Sequence, residues 1–125
     1  MNKVKEKLPA LVEEELAAAM EEHPLFASAH EGYAVLLEEV EEAEKELKDT
    51  QSALRLLWSG VRHDDPRTVA RAAGVIKEAA TCLAAEAIQV AAMAQKLLAS
   101  LDNTEPRKAA AMAVLDNTEP EKVTP

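Results

Sequence analysis

The sequence predicts an all-α protein, an antiparallel helical bundle with two long helices. Alanine, leucine, glutamate and lysine dominate its 125 residues, and there are only three glycines and one residue each of Phe, Tyr and Trp. This composition favours helices and gives strands little support. Apolar residues also recur at helical spacing in two long stretches, residues 31–61 and 66–98.

The first predicted helix and the start of the second are marked by local signals. Pro9 is suited to the first turn of a helix, and His23-Pro24 is expected to end that helix because a residue before proline avoids the helical region. Ser28 and Glu31 match the capping box, in which the hydroxyl accepts from the Glu31 amide and the carboxylate reaches back. This pattern favours a structural role for Glu31 over a catalytic one.

The second helix has an apolar face that continues to Val61. Two alternatives remain for residues 48–52: the helix runs through them, or a new helix begins there with Asp49 or Thr50 as its N-cap. Asp65-Pro66 then supplies an N-cap and a first helical position for the next helix.

The third helical pattern, residues 66–98, has an unusually apolar second half. Glu86 is the only charged residue between Glu78 and Lys96, and it lies beside the stripe of large apolar residues on a helical wheel. A carboxylate in such surroundings must be paired, hydrogen-bonded, metal-bound or protonated. A segment that is apolar on all sides is expected to be buried, so we predict that oligomerisation completes the bundle, with two-fold symmetry.

The C-terminal residues contain a duplication: residues 101–108 read LDNTEPRK and residues 115–122 read LDNTEPEK. Two copies are too few for a solenoid. We therefore divide the chain into a helical domain, residues 1–100, and a tail, residues 101–125, which we expect to be flexible. A short docking motif is the alternative for this tail.

The charge and the single cysteine limit the possible functions and compartments. A net charge of −9 argues against nucleic-acid binding and against binding to anionic membranes. Cys82 is the only cysteine, so no intramolecular disulfide is possible, and we expect its side chain to be buried. No uncharged apolar stretch of about 18 residues is present. We expect a cytoplasmic protein without a membrane span.

The glutamates of the second helix suggest a cation site. Glu38, Glu42 and Glu46 follow one another four residues apart with no cation between them, and like charges at that spacing repel. Glu86 and Gln89 share a face of the third helix. If the two helices pack antiparallel, three or four side-chain oxygens converge, and Mg²⁺ prefers such ligands.

At this point the sequence resembles the MazG-like, all-α nucleoside triphosphate pyrophosphohydrolases, and more narrowly their small phage-type members. The segments that carry the resemblance read HEGYAVLLEEVEEAE and EAIQVAAMA. The family's motif is E-E-x-x-E on one helix and E-x-x-D on a later one. The first part matches at Glu38, Glu39 and Glu42. The second part matches at Glu86, but Gln89 stands where the family has aspartate.

The resemblance covers about residues 20–98 and implies hydrolysis of a nucleoside triphosphate to the monophosphate and pyrophosphate, dependent on Mg²⁺ or Mn²⁺, in a dimeric or tetrameric bundle. It also implies site residues: the metal ligands Glu38, Glu39, Glu42 and Glu86, of which Glu38 and Glu39 are also catalytic. For substrate contacts we select four residues: Gln89, Trp58, Arg55 and Lys96.

Two interpretations compete with this activity. Glutamine at position 89 offers a neutral carbonyl oxygen in place of a carboxylate, which weakens a metal site. The protein would then bind a nucleotide-like ligand or a protein partner without turnover. Alternatively, the chain is a purely structural oligomeric bundle with an acidic face, in which Glu86 pairs with a basic residue across an interface.

Overall fold

A computed structural model of the chain describes the backbone of residues 2–118 and the side chains of residues 3–102. It contains three helices: α1 (Asn2–Glu22), α2 (Ala29–Arg62) and α3 (Pro66–Thr118). No strand occurs among the described residues. The prediction of an all-α protein with two long helices is therefore confirmed.

Helix α1 ends where the sequence predicts but begins earlier. It stops at Glu22, immediately before His23-Pro24, whereas Pro9 lies inside the helix and does not open it. The prediction for Pro9 is wrong. Proline lacks the amide hydrogen that would donate to the Lys5 carbonyl, but the exposed residues around it favour helix, and the chain does not turn there.

Helix α2 starts at the predicted capping box and is unbroken. The Glu31 amide donates to Ser28 Oγ at 3.2 Å, and the Glu31 carboxylate accepts from the Ala27 amide at 3.2 Å. The Thr50 hydroxyl donates to the Glu46 carbonyl at 2.9 Å, within the helix. Because this hydroxyl is satisfied by the preceding turn, Thr50 does not cap a new helix, and the first alternative for residues 48–52 is the correct one.

Helices α2 and α3 form a close antiparallel pair. A Cβ on Gly32 would lie 2.7 Å from Leu97 Cδ1, and one on Gly60 would lie 3.0 Å from Val69 Cγ2. The separation of the two glycines along α2 equals that of Val69 and Leu97 along α3, as an unbroken pair requires. The turn between the helices leads into the predicted cap, where Asp65 Oδ2 accepts from the Thr68 hydroxyl at 2.7 Å.

The core lies at the end of this pair where α1 packs against α3. Phe26, Ala92 and Met93 are its buried members, and six partly buried side chains surround them: Val12, Leu16, Ala19, Val35, Leu36 and Leu97. The Phe26 amide donates to Ser100 Oγ at 2.9 Å, and that hydroxyl donates to the Lys96 carbonyl at 2.8 Å. The connector after α1 is thereby fastened to α3.

Much of the apolar surface of α3 remains exposed in the single chain. Cys82 is exposed, so the prediction that it is buried is wrong; its side chain lies in the wall of an open cavity at the edge of the α2–α3 contact. The helix also continues through the predicted domain boundary at residue 100 and ends at Thr118. The flexibility that we predict for the tail is not tested. The side chains after residue 102 and all of residues 119–125 lie outside the part of the chain that the structure describes.

Helix α3 also contains one described segment, Pro66–Asp102, that is apolar enough to cross a membrane by length and composition alone, with a hydropathy of 1.3. A single helix of this kind is weak evidence for a span, and only 17% of its most apolar part is buried within the chain. The absence of a membrane partner stays a prediction.

Candidate metal centre

Three of the glutamates selected from the sequence meet where α2 faces α3. Glu39 and Glu42 lie three residues apart and therefore share one face of α2. Glu86 approaches them from α3, and one carboxylate oxygen of each residue lies within 4.8 Å of the other two. The antiparallel pairing of the helices thus brings together two motifs that are separated by more than forty residues in the sequence.

Burial leaves part of this group without hydrogen-bond partners. Glu39 and Glu86 are partly buried, and Glu42 is exposed. Glu39 Oε2 and Glu86 Oε2 are both inaccessible to solvent, and neither has a hydrogen-bond partner among the described residues. A buried acceptor without a partner costs roughly 1–3 kcal/mol, and more when it is charged. These two oxygens are therefore unusual in a folded protein and call for a proton or a cation.

The pKa shifts of these glutamates also indicate that the site needs a proton or a cation. Burial raises the pKa of Glu39, and the negative charges of Glu42 and Glu86 raise it further. Burial also raises the pKa of Glu86, and the adjacent Glu42 carboxylate adds to this, both as a hydrogen-bond partner for a proton on Glu86 and by its charge. A divalent cation among the three would remove the repulsion that produces these shifts.

Two further carboxylates act on the group, and neither was selected as a ligand from the sequence. Glu46, on α2, raises the pKa of Glu86, and Glu15, on α1, raises the pKa of Glu39. The sequence did offer a signal for Glu46, because it continues the row of glutamates at four-residue intervals that begins with Glu38 and Glu42. No spacing within the sequence could identify Glu15, because its position depends on how α1 packs against α3.

Glu38 stands outside the three-carboxylate group. It is exposed, and it acts on Glu39 only as a neighbouring charge that raises the pKa of that residue. One residue along a helix is a rotation of about 100°. Since Glu39 faces α3, Glu38 is directed away from it.

A cavity of about 670 Å³ adjoins the carboxylates, with Glu39 in its wall. It lies between α1, the connector after α1, and the α2–α3 pair. Gln89 and Lys96 line it, together with Phe26 and Met93 from the core. Two of the four predicted substrate-contacting residues therefore share a cavity with Glu39.

The other two predicted contacts are not brought to this site. Arg55 and Trp58 follow Glu39 on the same straight helix, which places them about 24 Å and about 28 Å away along its axis. Arg55 donates to Ser52 Oγ at 3.2 Å, and Trp58 is 59% exposed. Neither can touch a ligand held at Glu39 in the same chain.

Comparison of the chain with protein-family models, with curated proteins and with solved structures finds no match. The case for any function therefore rests on the residues of this chain and on their arrangement.

Proposed function

We propose that the protein hydrolyses a nucleoside triphosphate to the monophosphate and pyrophosphate with the help of Mg²⁺ or Mn²⁺. The observation that carries the proposal is the convergence of Glu39, Glu42 and Glu86 beside a large cavity that Glu39 lines. Two of the three have a buried oxygen without a hydrogen-bond partner among the described residues. The resemblance to the MazG-like hydrolases at the same residues supports it.

The donor atoms fit a hard divalent cation. Magnesium binds carboxylate and water oxygens and is commonly held by only one or two carboxylates together with substrate phosphates. Three carboxylates meet that requirement without a contribution from position 89. Gln89 lines the adjoining cavity, where its neutral amide can hydrogen-bond to a ligand.

The carboxylates have two different roles in the proposed reaction: metal binding and proton transfer. Glu39, Glu42 and Glu86 would hold the ion, which would neutralise phosphate charge and polarise the phosphorus–oxygen bonds. Glu39, the one of the two predicted catalytic residues that lines the cavity, accepts the proton of the attacking water. The water oxygen bonds to the α-phosphorus, the bond from that phosphorus to the bridging oxygen of the β-phosphate breaks, and pyrophosphate leaves.

A second function is favoured by the departure at position 89: binding of a nucleotide without turnover. The discriminating experiment is product analysis for common ribo- and deoxynucleoside triphosphates with and without Mg²⁺. Release of pyrophosphate and the monophosphate supports hydrolysis. Saturable binding with no product supports the binding protein. Release of orthophosphate and a diphosphate would contradict the proposed reaction.

We also propose that the working form is a homo-oligomer with α2 at the interface. Five apolar residues of α2 recur every seven residues and are 41–65% exposed: Tyr33, Val40, Leu47, Leu54 and Val61. A seven-residue apolar repeat is the pattern by which helices pair, and a two-fold dimer would place the same row on both sides of the interface.

Sedimentation velocity at micromolar concentration tests this interface. The parent protein is expected to sediment as a dimer or a larger assembly, and Leu54→Glu is expected to dissociate it, because a charge would then be buried in the seam. Ser52→Glu, on the opposite side of α2, is the matched control. A monomeric parent would contradict the proposal.

A further inference from the structure

A second cavity lies further along the groove between α2 and α3 that also forms the first. Steps of seven residues connect the walls of the two cavities on each helix: Val75, Cys82, Gln89 and Lys96 on α3, and Glu39, Glu46 and Ala53 on α2. Seven residues are close to two helical turns, so these side chains share one face of each helix. One groove therefore runs along the pair, and its two parts differ in what covers them.

Helix α1 covers the first part of the groove with its second half only. Three side chains of that half pack against the core: Val12, Leu16 and Ala19. Every residue in the first half, residues 3–11, is exposed. Val4, Leu8 and Leu11 recur there at helical spacing and are 36–65% exposed. The first half of α1, which we call the α1 arm, thus has an apolar stripe that nothing in its own chain covers.

The α1 arm is basic, whereas the chain as a whole is acidic. It contains three lysines and one glutamate, a net charge of +2, in a chain whose net charge is −9. At about 100° per residue, Lys3 and Lys7 lie on one side of the apolar stripe and Lys5 on the other. The arm is therefore suited to a surface that has an apolar floor and acidic sides.

The second cavity, of about 530 Å³, is such a surface. Leu56 and Val75 contribute apolar surface to it, and both are exposed. Three carboxylates lie in the same wall, and no basic residue is found among the described residues that line it: Glu46, Asp49 and Glu78. On α2 the cavity extends over residues 46–56, about 15 Å along the helix axis, and the α1 arm is about 12 Å long.

The arm cannot reach this cavity in its own chain. Glu22, at the end of α1, lines the first cavity with Gln89, and Glu13 accepts a hydrogen bond from Gln95 Nε2 at 3.0 Å. Towards its N-terminus α1 therefore runs along α3 in the direction of higher residue numbers, away from residues 75–82. Lys3 lies about 15 Å beyond Glu13 in that direction. An arm that fills the second cavity must come from another molecule.

We propose that the α1 arm of one copy docks in the second cavity of another copy. The apolar stripe of the arm lies against Leu56 and Val75, and its lysines face the carboxylates of the wall. This groove is separate from the seven-residue apolar row of α2, since Glu46 and Ala53 each precede a residue of that row and are rotated from it by about 100°. Both surfaces of α2 can be occupied in one assembly, and the docking does not depend on hydrolysis.

Cys82, the only cysteine and a residue of the cavity wall, allows a direct test. Leu8→Cys places a second thiol on the apolar stripe of the arm. A mixture of ¹⁴N- and ¹⁵N-labelled copies is oxidised in a glutathione buffer, and mass spectrometry of the peptides identifies the disulfides. The expected product joins position 8 of one copy to Cys82 of another, so each linked pair carries both labels in the proportion that random mixing gives.

Ala10→Cys is the matched control, because position 10 lies about 200° around α1 from Leu8 and its thiol is directed away from the groove. It is expected to form the disulfide with Cys82 far more slowly, since disulfide formation requires close approach of the two residues. Equal rates for the two variants, or no disulfide between copies with Leu8→Cys, would overturn the proposal.

The charge contribution is tested by adding Lys3→Glu, Lys5→Glu and Lys7→Glu together to Leu8→Cys. All three lysines are exposed, and circular dichroism verifies that the variant is folded. Disulfide formation is expected to slow by about tenfold or more, because three favourable charge contacts become repulsive. An unchanged rate would overturn the assignment of the acidic wall to the arm.

An anionic membrane is the competing partner for a basic arm with an apolar stripe. Co-sedimentation of the parent with vesicles of phosphatidylserine and phosphatidylcholine, lost in the lysine variant while Leu8→Cys forms no disulfide between copies, would assign the arm to the membrane and overturn the proposal. A disulfide between copies without pyrophosphate release would leave the docking standing and remove hydrolysis. Hydrolysis without this disulfide would do the reverse.

Discussion

The two ends of the α2–α3 pair both carry acidic residues but place them in different environments. Each end has an acidic cavity: the first contains Glu39 in its wall, and the second, of about 530 Å³, is lined by Glu46, Asp49 and Glu78. Only the first is bordered by α1, and only the carboxylate group beside it has buried oxygens without partners among the described residues. Acidic residues alone do not make the candidate site; burial against neighbouring helices does.

The largest expected effect is on the rate of pyrophosphate release, which should depend on the buried carboxylates and not on those at the surface of α2. Glu39→Gln and Glu86→Gln are expected to lower the rate of pyrophosphate release by about 100-fold or more, because a metal ion contributes several kcal/mol of charge stabilisation. Glu44→Gln, which removes an exposed carboxylate from the same helix, is expected to leave the rate unchanged. Equal losses in all three variants would mean that net charge, and not the site, controls activity.

The second prediction concerns the stability that the cation supplies. At pH 7, Mg²⁺ at about 100 times its dissociation constant is expected to raise the free energy of unfolding by about 2.7 kcal/mol. The resulting rise in melting temperature is measured by differential scanning calorimetry in the parent and in Glu86→Gln. The variant is expected to show little of this rise. An equal rise in both proteins would place the cation elsewhere, for example among Glu46, Asp49 and Glu78.

The third prediction compares glycines at the two ends. Gly32→Ala places a methyl group 2.7 Å from Leu97 Cδ1 and is expected to destabilise the protein by about 1–3 kcal/mol. A Cβ on Gly74 meets no atom within 4 Å, so Gly74→Ala is expected to stabilise the helix by up to about 1 kcal/mol. Urea denaturation measures both. If Gly74→Ala instead destabilised the protein, the surface of α3 around Gly74 would have to be in contact with another molecule in solution.

The smallest effect is a pH dependence in the absence of metal. The folded-state pKa values of Glu39 and Glu86 lie above the ordinary 4.5, so the unfolded chain releases these protons more readily. Ionising these groups therefore costs stability as pH rises through their folded-state values, and the cost is absent below 4.5. At pH 7, Glu39→Gln is expected to be more stable than the parent by on the order of 1 kcal/mol.

Chemical denaturation from pH 4 to pH 7 checks this sign. The advantage of Glu39→Gln is expected to shrink as the pH falls and to vanish below about pH 4.5, where the parent carboxyl is protonated as well. Glu44→Gln, whose side chain is exposed, is the matched control and is expected to show no such trend. A Glu39→Gln variant less stable than the parent at pH 7 would mean that the carboxylate has a stabilising partner.

Local signals in the sequence account for the helices and for most of their ends. The turn at His23-Pro24, the Ser28–Glu31 cap and the Asp65 cap are local, because each depends on hydrogen bonds or steric contacts within a few residues. The pairing of Glu39 and Glu42 also follows from helical spacing alone. Pro9 was misplaced because its local preference for a first turn competed with the helix propensity of its neighbours.

Packing between the helices selects the glutamates that form the candidate site. The register of α3 on α2 brought Glu86 to Glu39 and Glu42, and the face that α2 turned to α3 left Glu38 in solvent. The packing of α1 added Glu15 and closed the cavity around Lys96. These outcomes depend on contacts between residues far apart in the chain, where small differences in packing decide which side chains lose water, and no local pattern encodes them.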